Sequence, residues 1–240
     1  MNCKRWLGAI LVLMILAAVA GGQDDGGERA RYVRAQGDGF ATECKFVSAR
    51  DKTGWSITSW TDRGAVKMEV ETRYDDEDRP ISARIALTTD GATKTATVQV
   101  KDGKATIRRD GQEPIEFDAP KGTIITSAPD WTDVFLLCRR YDRKRQGKQE
   151  FPALWVHPTQ PPQRLTFTIE RQGSDVIEHD GKKVELGRYA IRIRNNSSYL
   201  AWADAEGRMV RLIALPHKDA RAGLTLEGYE KAAAGLRPPP

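Results

Sequence analysis

A chain of 240 residues, 40% of them hydrophobic and 30% charged, is long enough to build a core without disulfide or metal staples. Its formal charge of +5 falls to +3 once Lys4 and Arg5 are set aside, and charges of both signs are interspersed, which argues against nucleic acid as a partner. No Walker loop, G-x-S-x-G elbow, Ser-x-x-Lys, H-E-x-x-H or C-x-x-C occurs. No motif therefore points to catalysis, and no cofactor or metal is expected.

Residues 1–20 read as a secretion signal. Met1 to Arg5 is positively charged, Trp6 to Val19 is an apolar run, and Ala18-Val19-Ala20 supplies the small-x-small cleavage pattern. The run is short for a transmembrane helix, which takes about 20 apolar residues, although an uncleaved anchor is the competing reading. Gly21 stands where a lipidated Cys would be needed, and Cys3 lies on the wrong side of the run. The expectation is export to the periplasm or beyond, with no stable transmembrane span after cleavage. Residues 21–30 form a flexible lead-in. One all-β domain is then expected over 31–235, in two halves joined around 120–150, followed by a proline tail at 236–240.

Short alternating segments follow in chain order. Phe40 to Ala49, Trp55 to Thr61 and Ala65 to Tyr74 predict strands; within the third, Val66, Met68 and Val70 oppose Lys67, Glu69 and Glu71. Ile81 to Thr88, Thr95 to Val100, Ala105 to Arg108 and Glu113 to Phe117 continue the series. Turns fall at Asp90-Gly91 and Asp102-Gly103, where Gly supplies positive φ. Pro129 to Tyr141 then predicts a helix, with Trp131, Val134, Phe135, Cys138 and Tyr141 at helical spacing. A buried strand over Val134 to Cys138 is the alternative.

Ala153 to His157, Arg164 to Arg171 and Val176 to Glu178 resume the strands, with Gln172-Gly173-Ser174 read as a turn between the last two. Val184 to Leu186, Arg188 to Arg194, Tyr199 to Ala203 and Met209 to Leu215 follow, and Leu226 to Ala234 suggests a short closing helix. The sum is a mainly β fold: a curved antiparallel sheet, as an open barrel or two packed sheets, with one central helix and a short C-terminal helix.

Three groups of residues are candidates for function. Trp131, Phe135, Tyr141, Trp155 and Trp202 could line a curled sheet and hold an apolar ligand, or simply pack the core. Arg139, Arg140, Arg143, Lys144, Arg145 and Lys148 place six bases in ten residues. They could meet an anionic surface, or form the solvated end of the helix. Cys44 and Cys138 are a candidate disulfide closing about 95 residues, worth roughly 4–5 kcal/mol in a chain-entropy account. Two separate buried thiols are the alternative. The three histidines are scattered, and Asp75 to Asp78 lacks the alternating spacing of a calcium loop.

The segments Asp130 to Asp142 and Gln149 to Pro158, with the hairpin Tyr199 to Leu212, resemble uncharacterised secreted bacterial β proteins. Those in turn resemble the half-barrel periplasmic lipoprotein-localisation factors. The resemblance implies a curved sheet around a helix that can hold acyl chains, and it transfers no catalytic residue. The expectation is an exported, non-enzymatic protein binding an apolar or amphipathic ligand, with lipid or another envelope component as partner. A cell-envelope interaction module is the alternative, and an unrecognised secreted hydrolase a more distant one.

Overall fold

A computed structural model describes residues 29–34, 43–51, 54–77, 79–127, 132–193, 197–215 and 223–239. The signal region, Trp131 and His217 lie outside the described residues. Fifteen strands form one sheet: β1 Arg29–Arg34, β2 Glu43–Asp51, β3 Gly54–Arg63, β4 Val66–Tyr74, β5 Pro80–Thr89, β6 Ala92–Lys101, β7 Lys104–Arg109, β8 Ile115–Asp118, β9 Ile124–Thr126, β10 Lys148–Trp155, β11 Gln163–His179, β12 Lys182–Ile193, β13 Ser197–Ala203, β14 Met209–Leu215 and β15 Gly223–Leu226. One helix, α1, spans Thr132–Arg140, and a 3-10 turn spans Ala232–Gly235. The fold is mainly β, curved and antiparallel, with one central helix.

Strand order runs from β8 back to β1, then from β15 down to β9. Each half is thus a meander of consecutive hairpins, and β1 joins them by pairing with both β2 and β15. The hairpins follow from local chemistry. Along β4 the burial alternates strictly, with Met68, Val70, Thr72 and Tyr74 inward and Lys67, Glu69, Glu71 and Arg73 outward. Asp90 and Gly91 both have positive φ (51° and 80°), as do Asp102 and Gly103, the geometry of the tight hairpin turn. Gly54 is required for a different reason: a Cβ there would sit 2.0 Å from the Tyr74 carbonyl oxygen.

Rolling of the sheet brings its ends together. Among the described residues only β9 and β10 pair in parallel, and α1 lies on the crossover between them. On these two strands Ile124 and Ala153 face one core, with α1, Phe167, Ile169, Tyr189 and Ile191. Ile125, Leu154 and Val156 face a second core, with Met68, Val70, Ile85, Val98 and Ile107 from β4 to β7. The β9–β10 edge is therefore tucked inside the roll, buried on both faces. That accounts for the unbroken buried runs Thr123-Ile124-Ile125-Thr126 and Ala153-Leu154-Trp155-Val156. Across the seam, Arg164 on β11 meets Asp118 on β8 at 2.9 Å and stacks over Phe117.

Three expectations need revision. Gln172-Gly173-Ser174 is not a turn; β11 runs straight through it, absorbing Gln172 as the extra residue of a bulge between the Arg171–Tyr189 and Gly173–Arg188 pairs. Leu226 belongs to a strand, and the closing helix is a single 3-10 turn, since Gly228 at φ +86° interrupts a helical path. Residues 29–34, read partly as lead-in, form β1, and β9 had no counterpart in the sequence reading. The central helix is helical, as favoured over the strand, across Thr132–Arg140.

Candidate functional site

The sheet has two faces in its second half, and the register separates them. Tyr189, Ala201 and Leu212 are neighbours on one; Arg188, Trp202 and Arg211 are neighbours on the other. Tyr141, just after α1, meets Tyr189 edge-on at 5.1 Å, so α1 occupies the concave face. Arg211 donates to the Ala233 carbonyl at 2.7 Å, so the C-terminal segment covers the convex face. Around Tyr189 and Trp202 both faces of the sheet are thus covered by the chain itself. Among the described residues no helix is long and apolar enough to cross a membrane.

The candidate aromatics divide accordingly. Phe135 is buried on α1, and Tyr141 donates its hydroxyl hydrogen to the Gly147 carbonyl at 3.0 Å. Trp155 is buried at the end of β10 and stacks on His157 at 5.5 Å, within 15° of parallel. Burial lowers the His157 pKa, and its Nδ1 accepts the Thr159 backbone N–H, which leaves the proton on Nε2 in the neutral ring. Trp202 is fully buried beneath the C-terminal segment rather than on the concave side. Phe135, Tyr141, Trp155 and Trp202 are all buried.

A polar cluster that the sequence reading missed surrounds Trp202. Its indole N–H donates to Asp175 at 2.8 Å, and Arg188 reaches both carboxylate oxygens of Asp175 at 2.9 and 3.2 Å. The bulge at Gln172 leaves Gly173 opposite Arg188, and a Cβ on Gly173 would meet the Arg188 guanidinium at 3.2 Å. An isolated glycine within a strand pattern was the signal available in the sequence.

The basic run is largely spent on structure. Arg140 donates to the Gly122 carbonyl at 3.1 Å and lies 4.8 Å from the Tyr74 ring, tying α1 to the loop before β9 and to β4. Arg143 donates to the carbonyls of Asp204 and Ala205 in the β13–β14 turn. That turn approaches closely: a Cβ on Gly207 would lie 2.8 Å from the Arg139 Cα. Lys148 pairs with Glu150 at 2.8 Å, which lowers the Glu150 pKa. Arg139 lies over the Phe135 ring at 5.5 Å, and Lys144 and Arg145 are exposed.

Cys138 carries a free thiol, wholly buried, and desolvation pushes its pKa up to about 12. The backbone of Cys44 pairs with Tyr32 and Thr61, and its side chain lies outside the described residues. Among the described residues no three His, Cys, Asp or Glu side chains gather as a metal site. Asp75 instead closes its own turn, accepting from the Arg79 and Glu77 backbone N–H groups and from the Arg79 guanidinium at 2.6 Å.

No protein-family model matches the chain, and no curated protein matches it. Among solved structures it is similar to a β-barrel-like protein of domain of unknown function DUF1849 from Brucella abortus, at 9% identity and a TM-score of 0.49, covering 83% of this chain and 93% of that one. It is also similar to a DUF1089 family protein from Pseudomonas aeruginosa, at 13% identity and a TM-score of 0.44, covering 88% and 95%.

Proposed function

We propose that the chain is an exported, non-enzymatic interaction module of the cell envelope that works through its surface, its concave sheet face being given over to its own core. Export rests on the charged, apolar and small-x-small regions of residues 1–20. One observation carries the rest: Val134, Phe135, Leu136, Leu137 and Cys138 of α1 are all buried, packed in one core with Phe167, Ile169, Tyr189 and Ile191. An acyl chain seated in the curl would have to displace that helix, at a cost of about 1.5–3 kcal/mol for each large apolar side chain uncovered.

Native mass spectrometry of protein recovered from the periplasmic fraction tests both parts. The expected result is a polypeptide beginning near Gly21 with no stoichiometric lipid. A lipid carried at one per chain would overturn the surface reading in favour of an apolar ligand in the curl. An intact N-terminus in the cytosolic fraction would overturn export.

A further inference from the structure

The longest hairpin of the fold outruns the sheet it belongs to. β10 pairs with β11 only from Gln163 to Glu170, and β13 pairs with β12 only from Gly187 to Ile193. The β11–β12 ladder nevertheless continues to His179 and Lys182, closed by the tight turn at Asp180-Gly181. Residues 175–179 and 182–186 therefore form a two-stranded ribbon whose outer edges are both unpaired among the described residues, and the free edge of β11 extends back to Arg171. Such a ribbon is marginal by itself in water.

One face of the ribbon is occupied. Ile177 and Leu186 are buried, Asp175 holds Trp202, and His179 stacks on Tyr229 at 3.8 Å. The other face is open: Ser174, Val176 and Glu178 all point to solvent. Val176 is 62% exposed, the most exposed of the large apolar side chains described.

Other edges of the sheet are protected. β8 is four residues long, lies between Pro114 and Pro120, and carries Glu116 and Asp118. β9 is buried. The free stretch of β12 is short and begins with Lys182 and Lys183. From Ser174 to His179, β11 has neither proline nor lysine and keeps a regular register with β12.

We propose that this edge of β11 pairs antiparallel with the same edge of a second copy of the chain, about a two-fold axis at Val176. Val176 then faces the partner's Val176, and Ser174 faces the partner's Glu178, a donor opposite a carboxylate. On the inner face Asp175 falls opposite the partner's Ile177, so no like charges meet across the ladder. The span also fits. β10 stops at Lys148, opposite Glu170, and the partner's strand ends at its own Asp180-Gly181 turn before reaching that point. Self-complementarity of this kind is what a two-fold interface demands, and main-chain bonds supply the attraction. So few residues bury less than the roughly 1,200 Å² of a standard interface, so the dimer is reversible and concentration-dependent.

Sedimentation analysis of the mature chain over a concentration series tests the pairing, alongside V176R and V176C. The expected result is a monomer–dimer equilibrium that V176R weakens roughly tenfold or more by setting two cations face to face, with its thermal unfolding unchanged. V176C should oxidise to a covalent dimer well ahead of a control cysteine at exposed Gln99. A wild-type chain monomeric throughout, or a dimer that V176R leaves intact and V176C does not trap, would overturn the proposal. Neither outcome touches the lipid readout that tests the function proposed above.

Discussion

The indole N–H of Trp202 on β13 donates to the carboxylate of Asp175 on β11 at 2.8 Å, across the intervening strand β12. Arg188 of β12 binds the same carboxylate through one guanidinium nitrogen, so one acid accepts from a fully buried indole and a guanidinium together. Asp175→Ala strands both donors, and a loss of about 1–3 kcal/mol is expected in urea unfolding. Asp175→Asn keeps an acceptor for the indole and should lose less. Equal losses in the two variants would count against the shared-acceptor account.

Covering of the convex face by the C-terminal segment makes a second expectation. Tyr229 stacks on His179, Ala233 accepts from Arg211, and Leu236 is buried with Trp202 and Ile213 in one core. A chain ending at Leu226 uncovers that apolar surface. Its melting temperature should fall by an amount equivalent to roughly 3 kcal/mol or more, and it should bind a hydrophobic dye that the full chain excludes. An unchanged melting temperature would mean the segment contributes nothing to the core.

The basic run separates into structural and solvent-facing members. Arg140→Ala removes both the bond to the Gly122 carbonyl and the stacking over Tyr74, so a destabilisation of about 1–2 kcal/mol is expected. Arg145→Ala removes an exposed side chain and should fall within about 0.5 kcal/mol of the parent. Denaturant midpoints measured side by side decide between this division and a uniform surface patch.

Cys138 offers a chemical and a pH-dependent readout. With its pKa pushed up to about 12 by burial, the native thiol should resist maleimide or disulfide reagents at pH 8 and react once the chain is unfolded. The sign of the linkage is fixed by that shift. Above about pH 9 the unfolded thiol loses its proton while the folded one keeps it, so the contribution to stability declines as pH rises from there toward 12. Cys138→Ala should flatten this part of the stability profile.

Local pattern carried most of the fold class. Alternation along β4 and β12 told which residues face inward, and Asp-Gly pairs marked the hairpins, because side-chain period and turn φ are properties of neighbouring residues. The proposed export likewise rests on contiguous residues, 1–20. The sequence could not separate a turn at Gly173 from a bulge within one long strand, since the difference lies in pairing with β12 rather than in the glycine itself.

Only the tertiary structure decided which surfaces remain free. Ile124, Ile125 and Leu154 read as generic apolar residues until the sheet rolls and places β9 and β10 between two cores. Trp202 and Phe135 looked alike as candidate ligand contacts, yet one packs under the C-terminal segment and the other fills the concave face. Arg140 and Arg145 differ only in what lies across from them, Gly122 and Tyr74 in one case and solvent in the other. These distinctions depend on contacts between residues far apart in the chain, and periodicity within a segment contains no information about what comes to cover it.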